Sequence, residues 1–418
     1  MSYKQSREPI GELQWRRTSV DEMLRRVEPL LPRIHASLPF DISFTDTLGI
    51  PVHVIMRLSE LQEARFELLK EWGEMEFLTI QKGKGVTPEE SRLSCIMEAV
   101  EHYSGAYYPV ESKIVEGTFN EFGCEAVDPR DFFIPEEVSF FPDKRLTWFR
   151  GHDVVSGAQI LVPLEFILID FPDSAYPFEG FQSTRMGFFV SNGLSAGASL
   201  DDAVIAGICE VVERDEQYRL AQGTEPWPRA VDFRGDDHFE AFEQLFRQRG
   251  LDLKTFYSDK VPGVYTAFAT SFDPYCRTLF QGSAAAPDLR IALHQAILEL
   301  AQQRAWVFFY HYRTHRQYLP IVRYVREHTH PASLALDVPA DHWTHRSDVP
   351  IPLTELQSFP SELDSLVRSL APHHRIAAFD LTHPDLQIPV VRVIASGLQN
   401  GYFHYRTVTT FPADEAQG

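Results

Sequence analysis

The chain has 418 residues, 44% hydrophobic and 23% charged, and its 39 Lys and Arg against 59 Asp and Glu give a net charge of −20. That length allows a large core or two to three domains, and the composition is that of an ordinary globular protein. The acidic balance argues against a protein that grips nucleic acid or an anionic membrane by charge, and leaves room for cationic peptides and metal-bound anions. Cys95, Cys124, Cys209 and Cys276 form no CxxC pair, so neither a zinc site nor a disulfide framework is expected. Cys95 and Cys209 fall in apolar helical runs, where a thiol acts as a small core residue. The opening "MSYKQSREPIGELQW" lacks the apolar centre of a signal peptide, and no run approaches the ~20 apolar residues of a membrane span; the expectation is a cytoplasmic protein.

In chain order, residues 1–18 read as a polar lead-in. Ser19 then suits an N-cap with Glu22 at the capping-box position, followed by Met23, Leu24, Val27 and Leu30 at helical spacing. "IPVHVIMRL" and "EFLTIQ" read as strands, being rich in β-branched residues. The loop "QKGKG" precedes a helix from Thr87, "TPEESRLSCIMEAVEHYSG", and the loop "SNGLSAGAS" leads into a helix from Ser199, "SLDDAVIAGICEVVERDEQ". Both helices open with a hydroxyl N-cap and carry an acid three residues on, Glu90 or Asp202. Both place Glu-x-x-Glu at the same distance from the cap, as Glu98 with Glu101 and as Glu210 with Glu213. A third unit, "QGSAAAPDLRIALHQAILELAQQR", has Pro287 suited to the first helical position and carries Glu299 and Gln303. The stretch from about Tyr324 to Pro352 reads as irregular, and "RIAAFDL" and "IPVVRVIASGL" as strands. The expected class is α+β, with repeated strand-loop-helix units.

Residues at i, i+3 and i+4 share a helix face, so Ser94, Glu98 and Glu101 point one way, as do Glu210 and Glu213. An isolated Glu-x-x-Glu is most often a solvated face, and Arg214 offers Glu213 a simple ion pair. Here the flanks are apolar on nearly all sides, and facing helices would gather four carboxylates. Like charges so close are tolerable only with cations between them. Mg2+ takes a few carboxylates together with phosphate oxygens and water. The pattern therefore points to Mg2+ and a nucleoside triphosphate held by acids. "KGKG" is no P-loop, although its glycines permit close backbone approach and Lys84 can supply a point charge.

"GKGVTPEESRLSCIMEAVEHYSG", "SNGLSAGASLDDAVIAGICEVVERDE" and "ALHQAILELAQQR" together resemble the three signature regions of YcaO-domain proteins, over roughly residues 45 to 400. The family's Ser-x3-Glu-x2-Glu-Arg matches Ser94, Glu98 and Glu101, with His102 in place of the Arg. Its Glu-x-x-Glu-Arg matches Glu210, Glu213 and Arg214, with Ala203 where a Ser is usual, and its Glu-x-x-x-Gln matches Glu299 and Gln303. The resemblance implies a YcaO-type fold packed around an ATP and Mg2+ site, with residues 1–44 as an N-terminal extension with a helix. Residues 45–418 would be the catalytic domain, strand-rich at about 370–410. It implies Glu98, Glu101, Glu210 and Glu213 as Mg2+ ligands, and Lys84, Ser94, Asn192, Arg214, Glu299 and Gln303 as nucleotide contacts; it singles out no catalytic residue. The implied reaction is ATP-dependent phosphorylation of a peptide backbone amide oxygen, followed by its replacement.

Azoline-forming members end in a proline-rich tail, whereas this sequence ends "TVTTFPADEAQG"; its N-terminal portion looks more like members that install thioamides, with or without a TfuA-type partner. Thioamide formation in a ribosomally made peptide is the first expectation, and azoline or amidine formation the alternative. The implied partners are a substrate peptide and a TfuA-type or leader-binding protein; a homodimer is compatible with this reading. Two further classes remain: an ATP-holding scaffold that presents peptide to another enzyme, and a metal-dependent hydrolase, which would ordinarily use His ligands. His102 and His294 are expected to be packing or hydrogen-bonding residues. His311 and His315, with His328 and His330 nearby, read as a His-rich surface without the HExxH of a zinc protease, and "VFFYHYR" reads as core.

Overall fold

A computed structural model describes residues 18–57, 80–106, 111–128, 142–169, 191–221, 227–274, 278–314 and 350–398, with Ile10 and Leu13. Most of the lead-in, the first part of "EFLTIQ", Cys276, His315, His328, His330, nearly all of 324–350 and the C-terminal tail lie outside the described residues.

The first helix, α1 (Val20–Val27), begins as read: the Glu22 N–H donates to Ser19 Oγ at 3.2 Å, and Met23, Leu24 and Val27 are buried. Strands β1 (Phe40–Asp41), β2 (Val52–Met56) and β3 (Ile80–Lys84) form an antiparallel sheet. Against it lies α2 (Pro88–Gly105), capped by Thr87 Oγ1, which accepts from the Glu90 N–H at 3.2 Å. The Glu90 carboxylate accepts from the Val86 N–H at 2.9 Å, so the acid secures the residue before the cap.

The second sheet starts with β4 (Ile114–Gly117), β5 (Leu146–Asp153), β6 (Gln159–Pro163) and β7 (Leu194–Ala196). Then comes α3 (Leu200–Ala221), with the Asp202 N–H donating to Ser199 Oγ at 3.2 Å. A third sheet holds β8 (Arg229–Asp232), β9 (Lys254–Ser258), β10 (Tyr265–Asp273) and β11 (Thr278–Ala286), with α4 (Asp237–Gln248) between the first two strands. The long helix α5 (Leu289–Thr314) packs on β11 and β10. Its cap differs from the sequence reading. Asp288 Oδ1 accepts from the Arg290 and Ile291 N–H groups at 2.8 and 3.2 Å, which leaves Pro287 one residue before the cap rather than inside the helix. The described end of the stretch read as irregular forms an edge strand, β12 (Ile351–Pro352), parallel to β8.

After α6 (Leu363–Leu370), β13 (Ile376–Asp380) and β14 (Val390–Ala395) complete the second sheet, whose order is β4-β5-β13-β14-β7 with β6 on β5. Val390 and Ile394 join the core that contains α2, while Val391, Val393 and Ala395 join the core that contains α3. With both faces covered, "VVRVIA" carries no polar alternation.

The repeated unit has a steric cause. A Cβ on Gly83 of β3 would sit 2.2 Å from Cys95 N and Ser91 O of α2. One on Gly282 of β11 would sit 2.3 Å from Ala296 O and Leu300 N of α5, and one on Gly197 2.4 Å from Ala203 N of α3. Each helix thus rests backbone-to-backbone on a glycine, which holds its mid-helix acids at a fixed depth. Gly282→Ala is expected to lower stability by about 3 kcal/mol, because neither contacting atom is a side chain that can yield; the urea-unfolding midpoint measures it.

Candidate functional site

The three helices bring the sequence-nominated acids together. Glu98 and Glu101 come from α2, Glu210 and Glu213 from α3, and Glu299 from α5. Their charges act on one another in a closed circuit: Glu299 on Glu98, Glu98 on Glu101, Glu101 and Glu210 together, Glu213 on Glu210, and Glu299 on Glu213. Burial is the largest influence on each of the four α2 and α3 acids. It pushes Glu98 and Glu210 up to about 7, and lifts Glu101 and Glu213 above the usual carboxylate range. The cations present do not cancel this.

Lys84 Nζ lies 3.3 Å from Glu299 Oε2, so this lysine is engaged by an acid of the ring. Arg214 lies 3.7 Å from Glu210 and 3.2 Å from Glu213. Burial opposes its charge, but Glu213, Glu210 and Glu299 outweigh burial and hold the guanidinium firmly protonated. The ion pair that was the simpler reading of Glu213 is therefore real. It serves two acids of five, and both keep raised pKa values.

Backbone donors fill in the rest. The Lys82 N–H donates to Glu98 Oε2 at 3.0 Å, and Ala196 and Gly193 supply backbone hydrogen bonds to Glu101 and Glu210. Gly193 has φ of 76°, and a Cβ there would lie 2.2 Å from Val393 O, so this donor needs glycine. Asn192, the residue before it, is buried. Ser94 and Gln303 are partly buried, each one turn from an acid of the ring, Glu98 and Glu299 respectively.

The sequence reading missed four contributors. Lys82 and Arg392 both lower carboxylate pKa values in the ring, Lys82 that of Glu98 and Arg392 those of Glu101 and Glu210. Gln217 and Ser283 bond Glu213 directly. A lone Arg in an apolar strand and a Gln one turn past Glu213 were visible signals; the pairing that brings Ser283 in from β11 was not.

The donor set fits Mg2+. Among the described residues no three Asp, Glu, His or Cys side chains converge on one point as a closed cage. The acids run instead as pairs along a ring, which suits an ion that takes one or two carboxylates and completes its shell with phosphate and water. His102 is buried, and burial, then Arg57 and Lys82, push it down to about 3, so it stays neutral at physiological pH. Among the described residues no His enters the ring. His294 bonds His238 at 3.0 Å, as a packing residue should.

Residues 82–399 match the family model described as YcaO cyclodehydratase, ATP- and Mg2+-binding. The chain belongs to the YcaO family. It is accordingly an ATP-dependent amide-modifying enzyme, with ATP and Mg2+ as cofactors. Its fold is similar to that of YcaO from Methanopyrus kandleri bound with AMPPCP and Mg2+ (24% identity, 92% of each chain, TM-score 0.63). An uncharacterized protein of Methanothermobacter thermautotrophicus is 26% identical over 90% of this chain and 93% of its own length. A Rhizobium leguminosarum bv. trifolii protein in the tfuA 3′ region is 29% identical over 33% of this chain and 31% of its own.

Two departures from the YcaO pattern now have a physical reading. His102, buried and neutral, stands where the Arg would carry a positive charge. Ala203 is fully buried, and its carbonyl accepts from Ser195 Oγ at 2.7 Å, so a neighbouring hydroxyl occupies this corner. Cys95 and Cys209 are buried in the core as read, and among the described helices none is long and apolar enough to cross a membrane.

Proposed function

We propose that Glu98, Glu101, Glu210 and Glu213 ligate Mg2+, and that Lys84, Ser94, Asn192, Arg214, Glu299 and Gln303 contact the nucleotide. The observation that carries this reading is the gathering of acids from three helices, in which Glu98, Glu101, Glu210 and Glu213 keep raised pKa values despite Arg214 and Lys84. Glu98, Glu101, Glu210 and Glu213 would hold Mg2+, which would supply the charge neutralisation that phosphoryl transfer needs. The chain's own part is positioning: backbone donors at Lys82, Ala196 and Gly193 fix the acids, and Arg214 holds the two on α3. We assign residues 45–418 to catalysis and 1–44 to an N-terminal extension.

The substrate on this reading is a backbone amide of a ribosomally made peptide. Its oxygen takes the γ-phosphoryl group and ADP departs; a nucleophile then bonds the carbonyl carbon, and the oxygen leaves with phosphate. Sulfide as nucleophile gives a thioamide, the reading favoured by similarity to the protein in the tfuA 3′ region, with a TfuA-type protein as partner. The second reading, in which a Cys, Ser or Thr side chain closes an azoline, is favoured by the cyclodehydratase description of the family. Mass spectrometry of candidate peptides incubated with protein, ATP and Mg2+, with and without sulfide, separates them. Exchange of oxygen for sulfur only when sulfide is added is the expected result. Loss of one water without it would replace thioamide formation by cyclodehydration, and an unchanged peptide pool with steady ATP binding would favour the scaffold.

A further inference from the structure

We propose that Gln217 and Ser283 are positioning residues that make Glu213 a one-ended Mg2+ ligand, by occupying its Oε1 and leaving Oε2 for the ion. The inference rests on the assignment of Glu213 as a ligand. Three donors converge on Oε1: Gln217 Nε2 at 2.9 Å, Ser283 Oγ at 2.6 Å and Arg214 Nη1 at 3.2 Å. Among the described residues no hydrogen bond is made to Oε2.

The cluster leaves no freedom in how it is wired. Gln217 Oε1 accepts from Arg214 Nη1 at 3.0 Å, while its Nε2 also donates to Ser283 Oγ at 2.5 Å. Turning the amide over would aim its NH2 at the guanidinium and its oxygen at a carboxylate, so the observed orientation is the only one that satisfies both neighbours. Gln217 and Ser283 are fully buried, where a half-satisfied polar group would be costly and a fully bonded one is rigid. Gln217 stands one turn beyond Glu213 on α3, and Ser283 reaches in from β11, beside the Gly282 that seats α5. The same contact thus ties the Glu213 carboxylate to the strand that carries the third helix of the ring.

Without the hydroxyl or the amide, Glu213 is free to rotate and present both oxygens to Arg214, which removes Oε2 from use. Mg2+ is sensitive to this because it demands near-ideal octahedral geometry, whereas Ca2+ accepts variable numbers and angles of oxygen ligands. Outer partners of metal ligands typically contribute 10–100-fold to metal affinity.

The test is calorimetric binding of ATP to the full chain in MgCl2 and in CaCl2, with thermal melts as a folding check. Ser283→Ala removes one oxygen, and Gln217→Met removes the amide at constant length. Each is expected to weaken Mg2+-supported ATP binding by about 10-fold or more and Ca2+-supported binding less. In a Glu213→Gln background, adding Ser283→Ala should cost no further affinity. Equal losses with the two ions, or the same loss in that background, would show a merely structural role and overturn the proposal. So would unchanged binding by Ser283→Ala and Gln217→Met while Glu213→Gln loses it. If Glu213→Gln itself binds Mg2+ and ATP like wild type, the ligand assignment beneath the proposal fails instead.

Discussion

Glu210→Gln is expected to cut peptide-dependent ATP turnover by at least roughly 100-fold, the loss typical of removing one preorganised electrostatic contact in an active site. The same variant, free of nucleotide, is expected to be more stable than wild type above pH 7. Burial holds the Glu210 carboxyl at about 7 in the folded protein, against an ordinary value of 4.5. Between those values the native state holds a proton that the unfolded chain has released. Stability therefore falls as pH rises through this window, and the deficit is complete above about 7. Its upper bound is about 3 kcal/mol, since each unit of difference corresponds to about 1.4 kcal/mol. An isosteric neutral amide removes the deficit, and Arg214 keeps its closer partner, Glu213. Glu98→Gln should behave alike, because Glu98 is also held at about 7. Thermal melts at about pH 5.5 and pH 8 read the effect, and Mg2+ with ATP should abolish the wild-type pH dependence by supplying the missing positive charge. Wild-type turnover by Glu210→Gln, or a lower melting temperature at the higher pH, would remove the basis for placing ions at this acid.

That opposition between stability and function explains why the acids are legible in the sequence. Helix period and capping are local, so the phase of Glu98, Glu101, Glu210 and Glu213 followed from Thr87 and Ser199 alone, and both caps form as read. A carboxylate pair inside an apolar helix breaks a local rule, and such breaks mark functional sites. What stayed hidden was long-range. Ser283 reaches Glu213 only because β11 lies beside α3, and Arg392 reaches the ring through the order of the second sheet. The departure at His102 was visible, but its neutrality depends on burial beside Arg57 and Lys82. Pro287 misled because Asp288, next to it, offers a side-chain cap that the ring of a proline cannot.

Arg304→Met, at the last position of "LAQQR", is expected to cost about 3–5 kcal/mol, the usual loss when one partner of a buried ion pair is removed. Its guanidinium forks onto Asp46, with Nε 3.1 Å from Oδ2 and Nη2 3.0 Å from Oδ1, and Nη2 also lies 3.0 Å from Asp273 Oδ2. The Phe280 and Phe308 rings cover it, with centroids at 4.8 and 5.5 Å. Asp46, Asp273 and Arg304 are all buried, so water cannot replace the lost charge. Arg304→Lys should recover only part of the stability, because an ammonium cannot reproduce the planar fork. Combining Arg304→Met with Asp46→Asn and Asp273→Asn should recover more, since the dominant cost is two carboxylates without their cation rather than a lost attraction. The triad pins α5 to β10 and to the turn before β2, one residue past Gln303, whereas Glu299 is held separately by Lys84. Nucleotide affinity measured well below the melting temperature should therefore fall far less than stability does. An unfolding free energy for Arg304→Met, from urea titration at neutral pH, within about 1 kcal/mol of wild type would mean that the buried triad does not hold the third helix, and its clamp would have to be sought elsewhere.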